Sequence, residues 1–135
     1  MINEHDIKDM WDAHTKKGWL EDQQKKVSGA MKFDKEKPRM ELLDAKALEG
    51  LAQVLTFGAK KYEAHNWRLG LAYSRVLGAM LRHLSAIQRG EDIDPESGLP
   101  HINHVGCCWM FLSNYMAENR TELDDRWKGL KERAA

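Results

Sequence analysis

The sequence predicts an all-α protein, an antiparallel helical bundle, on three observations. Apolar residues recur at helical spacing in five stretches, no stretch alternates as a strand would, and short stops carrying Gly or Pro separate them. The 135 residues suffice for one domain, 1–135, with a single core. Several of the helices carry wide apolar stripes, so self-association is expected to complete the bundle.

The first stretch, Asn3 to Lys17, sets Ile7, Met10, Trp11 and His14 on one face and stops at Gly18. Trp19 to Arg39 is a linker. Its last part, from Met31, reads as extended chain, because Pro38 lacks an amide donor and biases Lys37 away from helix. The second helix starts at an Asp44 N-cap. It carries Leu48, Leu51, Ala52, Leu55, Ala59 and Tyr62 inward and ends before His65-Asn66-Trp67, with Gly70 in the turn. The third covers Ser74 to Arg89, with Val76, Met80, Leu84 and Ile87 inside and Gly90 behind it. The fourth begins at Leu99 or Pro100, a residue suited to the first helical position, and ends near Ala117. A fifth is capped at Thr121, with Asp124 in a weak capping box and a narrow apolar edge of Leu123, Trp127 and Leu130. Short connections make helices two to four antiparallel neighbours.

Charge and hydropathy narrow the function. Basic and acidic side chains balance at 21 each, which argues against a protein that works by coating nucleic acid. No apolar run approaches the roughly 20 residues that span a bilayer. Met1 to Lys8 lacks the apolar core of a secretory signal. A cytoplasmic protein with no membrane partner is expected. The adjacent Cys107 and Cys108 point about 100° apart on a helix, which makes a disulfide between them implausible, and they read as small core residues.

Chemistry concentrates between Gly90 and His104. Glu91, Asp92, Asp94 and Glu96 fall within six residues, and His101 and His104 follow three apart on the next helix. That helix face continues through Cys108, Phe111 and Tyr115, so both imidazoles point inward. His83 lies on the inward stripe of the preceding helix, and antiparallel packing brings it close. A carboxylate loop by itself is usually a solvated turn, and one inward His is usually a hydrogen-bonded core residue. Together, three imidazoles and four carboxylates at one bundle end would be costly to bury without a partner. A metal or phosphate site is the favoured reading.

A basic set complements it. Lys32, Lys35, Lys37 and Arg39 lie in the extended loop, and Lys60 and Lys61 end the second helix, where its dipole also favours them. Arg75 and Arg82 share a face of the third helix and suit a phosphate clamp. Asn66 and Trp67 offer an amide and a stacking ring for a base, although a Trp closing the core at a turn reads equally well.

The stretches Met31–Arg39, Leu55–Tyr62, Asn66-Trp67, Arg82-His83 and Gly90–His104 resemble a phage-associated family of dATP/dGTP diphosphohydrolases, which is similar to the all-α, MazG-like nucleotide pyrophosphohydrolases. The resemblance covers about Lys32 to Tyr115. It implies hydrolysis of a purine deoxynucleoside triphosphate between the α and β phosphates, dGTP first and dATP second, with Mg²⁺ or Mn²⁺ and a homodimer or homotetramer. In phages that replace adenine by 2-aminoadenine, such an enzyme supplies dGMP. The MazG-like pattern holds its ions with ExxE on one helix and ExxD on the next. This chain has His83 and Ala86, then His101 and His104, at those places.

On this basis His83, Glu91, Asp94, Glu96, His101 and His104 are the expected metal ligands, with Glu49 or Glu63 as further candidates. Glu91 or Asp94 is the expected general base, within one hydrogen bond of an attacking water. Lys32, Lys37, Arg39, Lys60 and Arg75 are expected to meet phosphate, and Asn66 and Trp67 the base and sugar. A non-catalytic nucleotide- or metal-binding helical module, and a helical interaction protein whose histidines are core residues, stay open as alternatives.

Overall fold

The computed structural model describes residues 3, 5 and 31–129. The expected first helix and most of the linker behind it lie outside the described residues. The chain divides into two compact units, Met1–Pro38 and Arg39–Ala135. In the first unit, the stretch from Met31 is exposed. It turns where extended chain was expected, the Lys37 amide donating to the Asp34 carbonyl at 3.0 Å.

The described part of the second unit is all-α, with no strand among the described residues. Its helices are α1 (Ala45–Tyr62), α2 (Tyr73–Gln88) and α3 (His101–Ala117), with single 3-10 turns at Met40–Leu42, Asn66–Leu69 and Thr121–Leu123. Asp44 caps α1 as its sequence predicts, its Oδ2 accepting the Ala47 amide at 2.8 Å. At the start of α2, Ala72 has no side chain to offer, and a distant carboxylate substitutes. Asp125 Oδ1 accepts the Ser74 amide at 2.8 Å, and its Oδ2 accepts the Ser74 hydroxyl.

The end of α2 is a Schellman motif: the Gly90 amide donates to Ile87 at 2.9 Å and the Glu91 amide to Ala86 at 3.0 Å. Gly90 sits at φ +87°, which a side chain would strain. The expected fifth helix is only the turn Thr121–Leu123, and the chain from Asp124 to Gly129 is not helical. The acidic side chains there are engaged elsewhere, Asp124 with Arg126 at 2.8 Å and Asp125 with Ser74.

α3 is the central element. It packs along α2 and against α1, while α1 and α2 scarcely touch, so a groove opens between them over α3. α2 and α3 are antiparallel: Tyr73 stacks near Tyr115 at one end and His83 meets His101 at the other. α1 comes in closely at Gly50, where a Cβ would stand 2.5 Å from the Asn103 side chain. The core is Tyr73, Val76, Cys108, Leu112 and Tyr115, with Trp67 and Phe111 packed on it. Burial pushes the Cys107 thiol up to about 12, so it is an inert apolar filler, and neither cysteine is bonded.

Two apolar stripes are narrower than expected. Leu48, Tyr62 and Leu84 are exposed, and Gly50, Val54, Tyr73 and Ala86 are the buried positions instead. Within residues 39–129, α1 and α2 are not paired, which leaves the flanks of both helices that face away from α3 uncovered among the described residues. Among the described residues no helix is long and apolar enough to cross a membrane.

Candidate active site

The loop Gly90–Pro100 closes on itself before α3 begins. The Asp94 amide donates to Leu99 at 2.9 Å, the Gly98 amide to Asp94 at 2.8 Å, and the His101 amide to Asp92 at 2.8 Å. This closure sets the carboxylates against the first turn of α3, where His101 and His104 emerge beside His83 of α2.

The histidines fall into two groups. In the first, His83 Nδ1 and His101 Nδ1 are 2.8 Å apart. His101 is buried, and its Nε2 has no hydrogen-bond partner among the described residues, Glu91 Oε1 standing at 3.5 Å. In the second, His104 stacks on His83 with ring centroids 4.5 Å apart. Its Nε2 lies 2.8 Å from Ser97 Oγ, which is 2.7 Å from Asp94 Oδ2. An ionised carboxylate only accepts, so the Ser97 hydroxyl donates to Asp94 and His104 Nε2–H donates to Ser97. That assignment leaves the lone pair of His104 on Nδ1.

The electrostatics suit a neutral imidazole beside an ionised carboxylate. Burial lowers the pKa of His104 against the opposing pull of Asp94. It also lowers that of His83, helped by His104 and His101. Burial works to raise the Asp94 pKa, but the hydroxyl and amide of Ser97 outweigh it, and the carboxyl lies below its ordinary value. Two residues absent from the expected site therefore belong to it. Ser97 orders both Asp94 and His104, and its signal was the turn pattern of an Asp three residues before a Ser. Lys61 pairs with Glu96 across the mouth of the site.

His83, Asp94, Glu96, His104, Lys61 and Arg82 line a cavity of about 700 Å³ in the groove, a size suited to a small ligand. Glu91 and His101 do not line it; they stand behind it. Asn66 lines this cavity and a second of about 640 Å³, which also holds Arg75. Lys60 lines a separate cavity of about 370 Å³ with Glu49 and Ser97. Arg39 is paired with Glu41 at 2.6 Å and lines none of these. Lys32 and Lys37 are exposed in the first unit. Glu63, just past the end of α1, is exposed and lines the first cavity.

Trp67 reaches the cavity wall, yet its ring is already occupied. Phe111 stacks on it at 4.7 Å and the Arg68 guanidinium lies over it at 4.5 Å, so a base would compete with these two for the ring.

The donor types suit a divalent ion, but their arrangement does not make a closed cage. Among the described residues no three His, Cys, Asp or Glu side chains converge to hold one ion. The first histidine group turns two of its donor atoms on each other, and Glu96 is engaged by Lys61.

Residues 27–126 match the family model described as dATP/dGTP diphosphohydrolase, N-terminal. A curated dATP/dGTP diphosphohydrolase of Salmonella phage PMBT28 is 38% identical over 96 residues, covering 71% of this chain and 32% of that protein. The chain thus spans about a third of the length of the curated relative it matches. No solved structure matches.

Proposed function

From the premise that the chain belongs to the dATP/dGTP diphosphohydrolase (N-terminal) family, we propose that it hydrolyses a purine deoxynucleoside triphosphate to the monophosphate and pyrophosphate, with dGTP preferred and dATP second. The observation that carries this reading to the site is the Asp94–Ser97–His104 chain on the wall of a cavity large enough for the reacting phosphate. Water attacks the α-phosphorus, and the bond from that phosphorus to the bridging oxygen breaks. The electron pair leaves on pyrophosphate, and the proton of the water goes to neutral His104. Asp94 and Ser97 hold that imidazole in its proton-accepting tautomer. Glu91 stands behind His101 and supports the site from outside the cavity.

Divalent metal dependence belongs to the same proposal. Mg²⁺ is usually bound by one or two carboxylates together with substrate phosphates rather than by a protein cage. Asp94 and Glu96, on the loop beside His104, are the proposed carboxylates, and Glu63 lines the same cavity. An ion held there offsets phosphate charge. Mn²⁺ would suit the adjoining imidazoles better.

Asn66, which lines the first cavity just beyond the end of α1, is the proposed contact to the nucleoside. A cytoplasmic role in phage nucleotide metabolism and a homodimeric or homotetrameric state complete the reading. Assembly is supported by Ile102, Trp109 and Met116, a seven-residue stripe along α3 that is 59%, 62% and 49% exposed.

Incubation with each dNTP and Mn²⁺ or Mg²⁺, followed by chromatography of the products, tests the proposal. Monophosphate and pyrophosphate are expected, and orthophosphate with a diphosphate product would reject it. A second reading, a nucleotide-binding module without turnover, is favoured by the lack of three converging donors among the described residues. Saturable dGTP binding with no product under any divalent metal would establish it.

A further inference from the structure

The groove between α1 and α2 is continuous, because its two cavities share Tyr62, Asn66, Ala79, Arg82 and Cys108. Its charge, however, is divided. Asp94, Glu96, Glu63, His83 and His104 all line the first cavity, where Lys61 is paired with Glu96 and Arg82 stands at the border with the second. The second has no carboxylate or imidazole on its wall, and its charged side chains are Arg75 and Arg82. Both arginines are exposed, and neither forms an ion pair or a side-chain hydrogen bond among the described residues.

Their geometry favours convergence. Seven residues on a helix separate two side chains by about 10 Å along its axis. Arg82 shortens that gap by running back along α2, its Nη1 only 3.3 Å from where a Cβ at Gly78 would be. Glycine at position 78 leaves room for this guanidinium on the side facing Arg75. Two guanidiniums over one concave, carboxylate-free wall recognise an anion with several oxygens better than a single charge does.

We propose that the second cavity is the subsite for the β- and γ-phosphates and for the pyrophosphate that leaves, held by Arg75 and Arg82. The inference rests on the hydrolase reading above and adds a direction to it. The α-phosphorus sits in the first cavity beside His104, and the polyphosphate tail crosses Arg82 into the second. The nucleoside stays on the α1 side of the first cavity. Negative charge that builds on the departing bridging oxygen then meets Arg82 at the junction, where its stabilisation counts toward the transition state.

The test is binding of inorganic pyrophosphate to the full chain by calorimetry, for wild type and for Arg75→Gln, Arg82→Gln and Lys46→Gln. Lys46 is an exposed cation on α1 that lines none of the cavities, so it controls for net charge. Each arginine variant is expected to weaken pyrophosphate at least tenfold, Lys46→Gln to leave it unchanged, and Arg82→Lys to recover part of the loss. Pyrophosphate should inhibit dGTP turnover competitively. Equal binding by all the variants, or non-competitive inhibition, overturns the proposal while leaving the hydrolase reading intact. Wild-type chain that turns over no dNTP, yet loses pyrophosphate binding in both arginine variants, removes the hydrolase reading and keeps the cationic subsite.

Discussion

The Nδ1 atoms of His83 and His101 face each other at 2.8 Å, so at most one proton fits between them. Protonating both rings on those atoms would break the contact, and His104 stacked on His83 adds a third imidazole to the cost. The folded state therefore resists acid at this corner. His83 and His104 both have pKa values held below the ordinary imidazole value, chiefly by burial. A group whose folded pKa is depressed stabilises the fold above its unfolded pKa and loses that contribution as pH falls. The melting temperature should accordingly drop as pH goes from 7.5 to 5.5, beginning near pH 6.5, the ordinary histidine value. The double variant His83→Gln, His104→Gln should flatten that slope in a calorimetric pH series. A wild-type melting temperature that stays level or rises on acidification would contradict this account.

The Asp94–Ser97–His104 chain gives a kinetic prediction. Asp94→Asn keeps the shape but removes the negative charge that orients Ser97 and His104. Turnover should fall by roughly 100-fold or more, the usual scale for a disabled acid–base group, with most of the loss in kcat and a smaller rise in KM from the weakened ion site. Ser97→Ala should cost less, because Asp94 Oδ2 still stands 3.5 Å from His104 Nε2. A rise in KM with unchanged kcat for Asp94→Asn would assign the carboxylate to binding alone.

Gly90 ties helix geometry to the same site. At φ +87° it lets α2 end in the two hydrogen bonds that aim Glu91 toward His101. Gly90→Ala should destabilise the fold by about 1–2 kcal/mol, the cost of a left-handed conformation for a residue with a Cβ. Denaturant unfolding measures it, and a neutral substitution would mean that the turn relaxes freely.

The helices were legible because their signals are local. Asp44 caps α1, Gly90 ends α2, and the His101–His104 spacing points both rings inward, each readable within a few residues. What escaped was long-range. Asp124 reads as a capping-box residue, but its partner is Arg126, while Asp125 reaches back to Ser74 and caps α2. No local pattern shows that those carboxylates are engaged elsewhere, so the sequence predicts a fifth helix where the chain forms only the turn Thr121–Leu123. The same holds for Trp67, whose turn position suits a base platform until Phe111 and Arg68 are seen against its ring. Arg82 and Lys61 are recognisable as cations from sequence, but only the groove between α1 and α2 sets them on the first cavity, while Arg39 lines none of the three and Lys60 lines a separate one.

Assembly can be tested on α3. Ile102, Trp109 and Met116 form an exposed seven-residue stripe, the repeat by which one helix packs along another. The chain should elute as a dimer or tetramer by light scattering at micromolar concentration. Trp109→Glu, which buries a charge in any such interface, should shift it to monomer with the fold retained. A monomeric wild type would reject the assembly.

Metal binding should depend on the nucleotide, because no three protein donors converge among the described residues while Asp94 and Glu96 line the cavity a triphosphate would enter. Mn²⁺ alone should move the melting temperature little. Mn²⁺ with a non-hydrolysable dGTP analogue should raise it clearly, since a ligand at 100 times its Kd adds about 2.7 kcal/mol when it binds only the folded chain. EDTA should stop turnover and abolish that joint shift together. Asp94→Asn should reduce the joint shift, and His101→Gln should reduce it less, because His101 stands behind the cavity wall with one nitrogen committed to His83. A large shift from Mn²⁺ in the absence of nucleotide, lost in His101→Gln, would show instead that the imidazoles rearrange into a cage of their own. The metal would then belong to the protein before the substrate arrives.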